Sequence, residues 1–178
     1  MKRFRIQSCA IAIVFLLLGV MSRTGWSQAY QFTVPQMDLQ VYVQPDASAR
    51  LEYRIVFKNL AGAHPVDVVD IGLPHRNYDI KNMSASINGT PLTGIQKSTY
   101  IPVGVEVQLG SLAIPPGGQG EFRFECTMPD MVYLDTTDKS YASLQVIPTW
   151  FDPQSQSGRT VLKGAIHFLP TVKAEEVK

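Results

Sequence analysis

The feature that most constrains this chain is the regular alternation of apolar and polar residues that begins near Tyr30. Between residues 51 and 57 every second residue is apolar, and Glu52 and Arg54 occupy two of the positions between them. A period of two places alternate side chains on opposite faces of a β-strand. The segment therefore predicts a strand with one buried face and one face in water.

Turn sequences divide the chain into several strands of this kind. A second alternating segment at 39–43 precedes the turn sequence Pro-Asp-Ala-Ser at 45–48, so these two segments predict a hairpin. Asn88-Gly89, whose residues tolerate a positive φ, predicts another tight turn. The remaining predicted strands are 66–73, 80–87, 105–109, 122–126, 141–147 and 162–169.

About eight or nine short strands, with no helical pattern after residue 30, predict an all-β fold. Their spacing is typical of an antiparallel β-sandwich of the immunoglobulin-like class, and a small closed barrel is the alternative. A composition with 45% hydrophobic and 17% charged residues is that of a folded globular protein. We predict one domain over 30–170, followed by a frayed C-terminal tail at 171–178.

Residues 1–29 have the three parts of a secretory signal peptide. A basic start with Lys2, Arg3 and Arg5 precedes an apolar run at 10–21, and the small residue Ala29 ends the segment. A run of about 12 residues is shorter than the roughly 20 that span a bilayer, which favours a cleaved signal over an uncleaved anchor. We therefore predict cleavage near Ala29 and an exported protein, either periplasmic or extracellular.

Removal of this segment changes the charge and the cysteine content of the chain. Because four of the 16 basic and none of the 15 acidic side chains precede residue 30, the remaining 149 residues carry a net charge of −3. That balance gives no long-range attraction for nucleic acid. Cys126 is then the only cysteine, and its place in the alternation with Phe122 and Phe124 predicts a buried and inert thiol.

Polar residues in the predicted loops do not have the spacing of a metal site. The three histidines lack the i, i+2 or i, i+4 spacing of zinc ligands, so we predict ordinary hydrogen bonds for them. They are His64, His75 and His167. Asp130, Asp135 and Asp138 offer the oxygens that calcium prefers, but not in the spacing of an EF-hand loop. A solvated turn is favoured over a calcium site, and no metal or cofactor is predicted.

Motifs for catalysis are also absent from the sequence. There is no Gly-x-Ser-x-Gly turn, and the glycine-rich stretch at 117–120 precedes a strand, so it offers no helix N-terminus to a phosphate. The paired carboxylates of a glycan hydrolase depend on three-dimensional position and are kept as a minor alternative. The sequence therefore predicts a protein that is not an enzyme.

Aromatic side chains give the best candidates for a ligand site. Trp150 and Phe151 follow Pro148 at the end of a strand or in a loop, and Tyr133 precedes them. Exposed rings at such positions can stack on the rings of a glycan. We therefore take Tyr133, Trp150 and Phe151 as candidate ligand-binding residues. The alternative, and the commoner role of such a residue, is that Trp150 covers the open end of the core.

Four segments carry a resemblance to a known group of proteins. They are 43–53 with its Pro-Asp turn, 62–74 with His-Pro and Gly-Leu-Pro, 113–117 with Pro-Pro-Gly, and 141–151 with Pro-Thr-Trp-Phe. Together they resemble the exported N-terminal β-sandwich domain of uncharacterised bacterial envelope proteins. The resemblance implies a secreted domain placed before a membrane-spanning helix, and it implies no functional residues. Since nothing after Leu169 could span a bilayer, we expect a free secreted module or a truncated ectodomain.

These observations together predict an exported, non-catalytic binding or scaffolding module at the cell envelope. Edge strands of a sandwich can pair with a strand of a protein partner. A carbohydrate-binding module that uses the loop aromatics is the alternative. The expected partner is accordingly an envelope protein or a glycan.

Overall fold

The computed structural model describes residues 29–177, so the predicted signal peptide lies outside the described residues except for Ala29. The described chain forms twelve β-strands and three short 3-10 helices. The strands are β1 (Phe32–Val43), β2 (Ala49–Asn59), β3 (Val68–Gly72), β4 (Met83–Ile87), β5 (Thr90–Leu92), β6 (Gly94–Lys97), β7 (Gly104–Gln108), β8 (Gln119–Met128), β9 (Val132–Leu134), β10 (Ala142–Leu144), β11 (Gln156–Ser157) and β12 (Val161–His167). The 3-10 helices are Ile80–Asn82, Gly110–Leu112 and Ala174–Glu176.

The strands form a β-sandwich, as the alternation predicts. A large sheet of seven strands has the order β11-β1-β2-β8-β4-β5, with β12 also paired to β1, and a small sheet has the order β3-β7-β6. The remaining strands, β9 and β10, form a separate antiparallel pair. Pairing is antiparallel except where β11 and β12 run parallel to β1. Within residues 29–177, no helix has the length and apolar character needed to cross a membrane.

The number of strands exceeds the predicted eight or nine. Several strands, such as β5 and β11, contain only two or three residues, too few to show an alternation in sequence. The predicted strand at 80–87 begins as the 3-10 helix Ile80–Asn82, because Asp79 caps it by accepting from the backbone N–H of Lys81 at 3.0 Å. The predicted strand at 141–147 is regular only over Ala142–Leu144.

The core lies between the two sheets and contains the residues that the alternation assigns to it. Leu51, Tyr53, Ile55 and Phe57 of β2 are all buried, and so is Cys126 of β8. β2 lies between β1 and β8 in the large sheet, with Leu51 opposite Cys126. The predicted hairpin of β1 and β2 and the predicted burial of Cys126 are confirmed.

A β-bulge in β1 escapes prediction from the sequence. The pairing of β1 with β2 shifts between Thr33 and Gln36, and Pro35 lies within the shift. Proline is tolerated at a bulge because it has no N–H to give to the ladder. The extra residue reverses the alternation, so both Val34 and Met37 are buried.

An extended segment at 145–151 continues the sandwich beside the small sheet. Val146 and Phe151 pack against the core. The backbone N–H of Thr149 donates to the Tyr53 hydroxyl at 3.2 Å, and the Thr149 hydroxyl accepts from the backbone N–H of Gly72 at 3.1 Å. These two hydrogen bonds fix the segment against both sheets, and they position the groove described next.

Candidate functional site

A groove of about 1140 Å³ follows β3 along the outside of the small sheet. Much of its lining comes from the outward-facing residues of β3 and β7, the loop at 99–103, and the segment at 145–155. Val69 and Ile71 of β3 point into the core, so their neighbours Asp70 and Gly72 face the groove. The alternation that builds the core therefore also builds the floor of the groove.

All three aromatic residues singled out from the sequence line this groove. Tyr133 and Trp150 are far apart in the chain, yet they face the same cavity. The side chain of Trp150 is 74% exposed and that of Tyr133 is 46% exposed. Two exposed aromatic rings thus face one cavity, and the ligand-binding role of Tyr133 and Trp150 stays a prediction.

Phe151 has a different role from its neighbour. Its ring lies edge-on to Phe32 at 5.7 Å and to Phe57 at 5.2 Å, both between ring centroids. Phe151, rather than Trp150, covers this end of the core, so the alternative assigned to Trp150 is wrong. The physical reason is that adjacent residues of an extended segment point to opposite sides.

Sequence reasoning missed the polar floor of the groove. Asp70 of β3 and Glu106 of β7 are directly opposite each other in the antiparallel pair. Two like charges at such a pair are unfavourable unless other groups compensate them. The sequence feature that could have revealed them is a carboxylate within each of two apolar runs. Asp70 lies in 66–73, and Glu106 lies between two valines.

The carboxylate of Glu106 is saturated with hydrogen bonds. Its Oε1 accepts from Gln96 Nε2 at 2.7 Å and from Gln108 Nε2 at 3.2 Å. Its Oε2 accepts from the backbone N–H and the hydroxyl of Thr99, each at 3.0 Å. These bonds, the one from Gln96 above all, lower the pKa of Glu106 from 4.5 to about 2. Glu106 is therefore a fixed negative charge.

Asp70 has a free oxygen beside this charge. Its Oδ1 accepts from the Ser98 hydroxyl at 2.5 Å, whereas its Oδ2 has no hydrogen-bond partner among residues 29–177. Burial raises the pKa of Asp70 above 3.8, the hydrogen bond from Ser98 opposes that rise, and the charge of Glu106 adds to it. Of the two carboxylates in the floor, Asp70 is thus the one whose charge a hydrogen-bond donor or a cation from a ligand would stabilise more.

The electrostatic character of the groove is negative. Its lining includes the carboxylates of Asp70, Glu106 and Asp152, and none of its lining residues within 29–177 is lysine or arginine. One lining residue, Tyr30, donates its hydroxyl to Asp67 Oδ1 at 2.5 Å, and burial is the main cause that raises its pKa to about 12. The groove suits a neutral or cationic ligand and repels an anion.

Each histidine has one ring nitrogen within hydrogen-bond distance of an oxygen atom. His64 Nδ1 is 2.8 Å from the carbonyl oxygen of Pro65, and His75 Nε2 is 2.8 Å from that of Pro129. His167 Nε2 is 2.8 Å from the side-chain oxygen Oε1 of Gln40. Within the described residues, no group of three or more His, Cys, Asp or Glu side chains is arranged to hold a metal ion.

Of the three aspartates considered for calcium, Asp130 accepts from Asn77 Nδ2 at 2.9 Å, and the other two bind groups close to them in the chain. Asp135 Oδ1 accepts from the backbone N–H groups of Thr137 and Asp138, at 2.8 and 2.9 Å. Asp138 in turn accepts from Ser140, through both its backbone N–H and its hydroxyl. These contacts close a turn, which is the interpretation favoured from the sequence.

Comparison with known proteins does not assign a family to this chain. No family model matches the chain, and no curated protein matches it significantly. A crystal structure of the M1 zinc metallopeptidase from Deinococcus radiodurans is similar at 18% identity and a TM-score of 0.41, over 57% of this chain and 21% of that chain. A structure of native yeast LTA4 hydrolase is similar at 13% identity and a TM-score of 0.40, over 65% and 18%. The chain spans about a fifth of the length of these enzymes, and likeness at this level assigns neither family nor activity.

Proposed function

We propose that this protein is an exported, non-catalytic binding module of the cell envelope that holds its ligand in the groove along β3. The observation that carries the proposal is the exposure of Trp150 beside Tyr133 in one concave site. A large exposed indole is unusual on a protein surface, and tryptophan is enriched where proteins bind partners. A volume of about 1140 Å³ is slightly above the usual range for ligand pockets and leaves room for an extended ligand.

The chemistry of the floor supports binding over catalysis. Glu106 already accepts four hydrogen bonds, so it has little capacity to take up a proton from a substrate. Cys126, the thiol of the described chain, is buried in β8, and burial raises its pKa to about 12. A fixed charge and an inaccessible thiol favour recognition of a ligand over a reaction with it.

The test is the substitution Trp150→Ala. Because the side chain of Trp150 is mostly exposed, we expect its loss to change the free energy of unfolding by no more than about 0.5 kcal/mol. Retention of the variant on a column that carries solubilised envelope protein or envelope polysaccharide should fall to the level of a column without ligand. Leu162→Ala, a half-exposed apolar position on β12 outside the groove, is the matched control and should be retained like the wild type.

A drop of several degrees in the melting temperature of Trp150→Ala, with retention on the column intact, would contradict the proposal. That result would mean that Trp150 stabilises the fold and that the groove is not the binding site.

A carbohydrate is the second candidate ligand. The specific observation in its favour is the pair of exposed rings, Trp150 and Tyr133, on the same cavity. Such rings can stack on the faces of sugar rings. The side chains of Asp70 and Gln108 can form hydrogen bonds with sugar hydroxyls. If this candidate is correct, neutral polysaccharide alone should retain the protein, and Trp150→Ala should abolish that retention.

Export is part of the proposal and needs its own measurement. Fractionation of the native host, with the intact mass of the protein, should give an exported species that starts near Tyr30. A membrane-bound species larger than this chain would make it an ectodomain, with the same groove as its binding site. Recovery from the cytoplasm with Met1 to Ala29 intact would contradict export.

A further inference from the structure

We infer that the ligand of the groove is an extended polypeptide segment that pairs with the edge of β3 and places a lysine or arginine side chain beside Asp70. This inference rests on the proposed function, since it names the ligand class of the same groove. Three observations carry it: the free edge of β3, the charge of the groove, and its length.

β3 is an edge strand, and one set of its backbone groups points away from the sheet. In the small sheet β3 pairs only with β7 among residues 29–177. The carbonyl of Asp67 accepts from Leu109 at 2.8 Å, and the N–H of Leu73 donates to Val103 at 3.2 Å. Odd-numbered residues therefore face β7, because the direction of backbone groups alternates along a strand. The N–H and C=O groups of the even-numbered residues face the open edge.

The open edge is covered at both ends but not in its middle. Before β3, Val66 exchanges two backbone hydrogen bonds with Ile114, at 2.9 and 3.0 Å. At its end, the N–H of Gly72 donates to the hydroxyl of Thr149. Between them, the backbone groups of Val68 and Asp70 form no hydrogen bond with any other described residue. Both residues line the groove.

Free backbone groups on an edge strand are the features that an added strand recognises. An extended peptide supplies alternating N–H and C=O groups that satisfy those of Val68 and Asp70. A glycan also carries donors and acceptors, but its hydroxyl groups do not reproduce the alternating N–H and C=O groups of a paired strand. The edge therefore favours a polypeptide over a polysaccharide as the occupant.

The charge of the groove selects a basic peptide. Asp70 keeps one carboxylate oxygen free, and Glu106 opposite it is ionised near neutral pH. No lysine or arginine among the lining residues neutralises them. A lysine or arginine side chain from the peptide would form a charge-assisted hydrogen bond with Asp70 and compensate the pair.

The length of the groove and its apolar rim fit a short extended segment. β3 contains five residues, which at about 3.3 Å each correspond to roughly 16 Å of strand. Tyr100 and Ile147 line the groove together with Trp150, and all three are largely exposed. Successive side chains of a bound strand point to opposite faces. A basic side chain of the peptide can therefore reach Asp70 while the residues next to it in the peptide contact these three apolar side chains.

The test uses the fluorescence of Trp150. The chain contains two tryptophans, and Trp26 precedes the predicted cleavage position, so the exported protein has Trp150 as its only tryptophan. The probe is an acetylated and amidated pentapeptide, Thr-Val-Lys-Val-Thr, titrated to about 1 mM. Its analogues replace the central lysine by norleucine or glutamate, or carry N-methyl groups on the amides of one edge.

We expect the lysine peptide to change the fluorescence with saturation, and the glutamate and N-methylated analogues to bind at least about tenfold more weakly. Asp70→Asn should lower the affinity for the lysine peptide by about tenfold and leave the affinity for the norleucine peptide unchanged. Glu175→Gln, which removes one negative charge from an exposed position near the C-terminus, is the control and should leave both unchanged. Thermal unfolding of each variant confirms that it is folded.

Two results would overturn the inference. Equal binding of the lysine, norleucine and glutamate peptides would show that Asp70 does not select a basic side chain. A fluorescence change with neutral polysaccharide and with none of the peptides would reject a polypeptide ligand while the proposed binding function stands. If neither polysaccharide, peptide nor envelope extract changes the fluorescence of Trp150, the proposed function fails as well.

Discussion

The two carboxylates in the floor of the groove, Asp70 and Glu106, lie opposite each other but have pKa values displaced in opposite directions. Hydrogen bonds lower the pKa of Glu106, whereas burial raises that of Asp70. The hydrogen bonds to Glu106 favour its charged form, whereas at Asp70 only the bond from Ser98 opposes the effects of burial and of the charge of Glu106. At the scale of single residues, the hydrogen bonds and burial of each carboxylate therefore determine its pKa, although both residues are acidic.

Acid titration should reveal the contribution of Glu106. Its pKa is about 2 in the fold and 4.5 as a free side chain, so its stabilisation is present above pH 4.5 and is lost as the pH falls from 4.5 towards 2. Asp70 acts in the opposite sense, because protonation removes the cost of its buried charge. Denaturant unfolding of the wild type and of Glu106→Gln over this range should show a flatter pH dependence in the variant. Parallel curves would contradict this assignment.

The thiol of Cys126 gives a second prediction at this scale. Its side chain is fully buried, and burial raises its pKa to about 12, so the reactive thiolate is absent near neutral pH. In a chain that lacks residues 1–29, and with them Cys9, a thiol reagent such as Ellman's should react only after addition of denaturant. Rapid reaction with the native protein would show that β8 does not bury this position.

At the scale of elements, the regular alternation predicts the strands of the core, and irregular features escape it. The buried positions of β2 follow from sequence alone, because every second residue of 51–57 is apolar. The same alternation at 162–169 predicts β12, but Leu162 and Ile166 remain about half exposed. β12 is at the edge of the large sheet, and the described small sheet has too few strands to cover it. Periodicity identifies a face without indicating whether a second layer covers it.

The turn at Asn88-Gly89 is confirmed and can be tested directly. Both residues have positive φ values, 50° and 81°, and the side chain of Asn88 accepts from the N–H of Glu121 at 2.9 Å. A Cβ atom at Gly89 would meet no neighbour, so Gly89→Ala should cost only the backbone strain, about 1–2 kcal/mol. Denaturant unfolding should show this loss, and Thr90→Ala, next to it on an exposed position, should change stability less. Equal stability of Gly89→Ala and wild type would contradict the turn.

The buried hydroxyl of Tyr53 accepts one of the two hydrogen bonds that hold the segment at 145–151. Tyr53→Phe leaves the N–H of Thr149 without its partner, which should cost about 1–3 kcal/mol. Hydrogen exchange of residues 145–151 should accelerate more than that of β2. Tyr42→Phe, on the outer face of the large sheet, is the control and should leave exchange at 145–151 unchanged. Unchanged exchange in Tyr53→Phe would mean that packing alone holds the segment.

At the scale of the whole molecule, the groove arises because parts distant in sequence meet on the small sheet. The aromatic candidates could be found from the sequence, since Trp150 and Tyr133 are conspicuous residues in predicted loops. Asp70, Glu106 and Tyr100 could not, because their shared site depends on the pairing of β3 with β7 and on the path of the loop at 99–103. The exposed edge of β3 likewise follows from sheet order, which alternation does not determine.

The central claim, that the groove along β3 binds a ligand in the envelope, is tested most directly by photo-crosslinking in living cells of the native host. A photoreactive phenylalanine replaces Tyr100, an exposed residue that lines the groove, or in a control Phe168, an exposed residue outside it. We predict an adduct from position 100, absent from position 168 and abolished by Trp150→Ala, whose mass spectrum identifies the bound partner. Adducts from position 168 alone, or from neither position, would contradict the account.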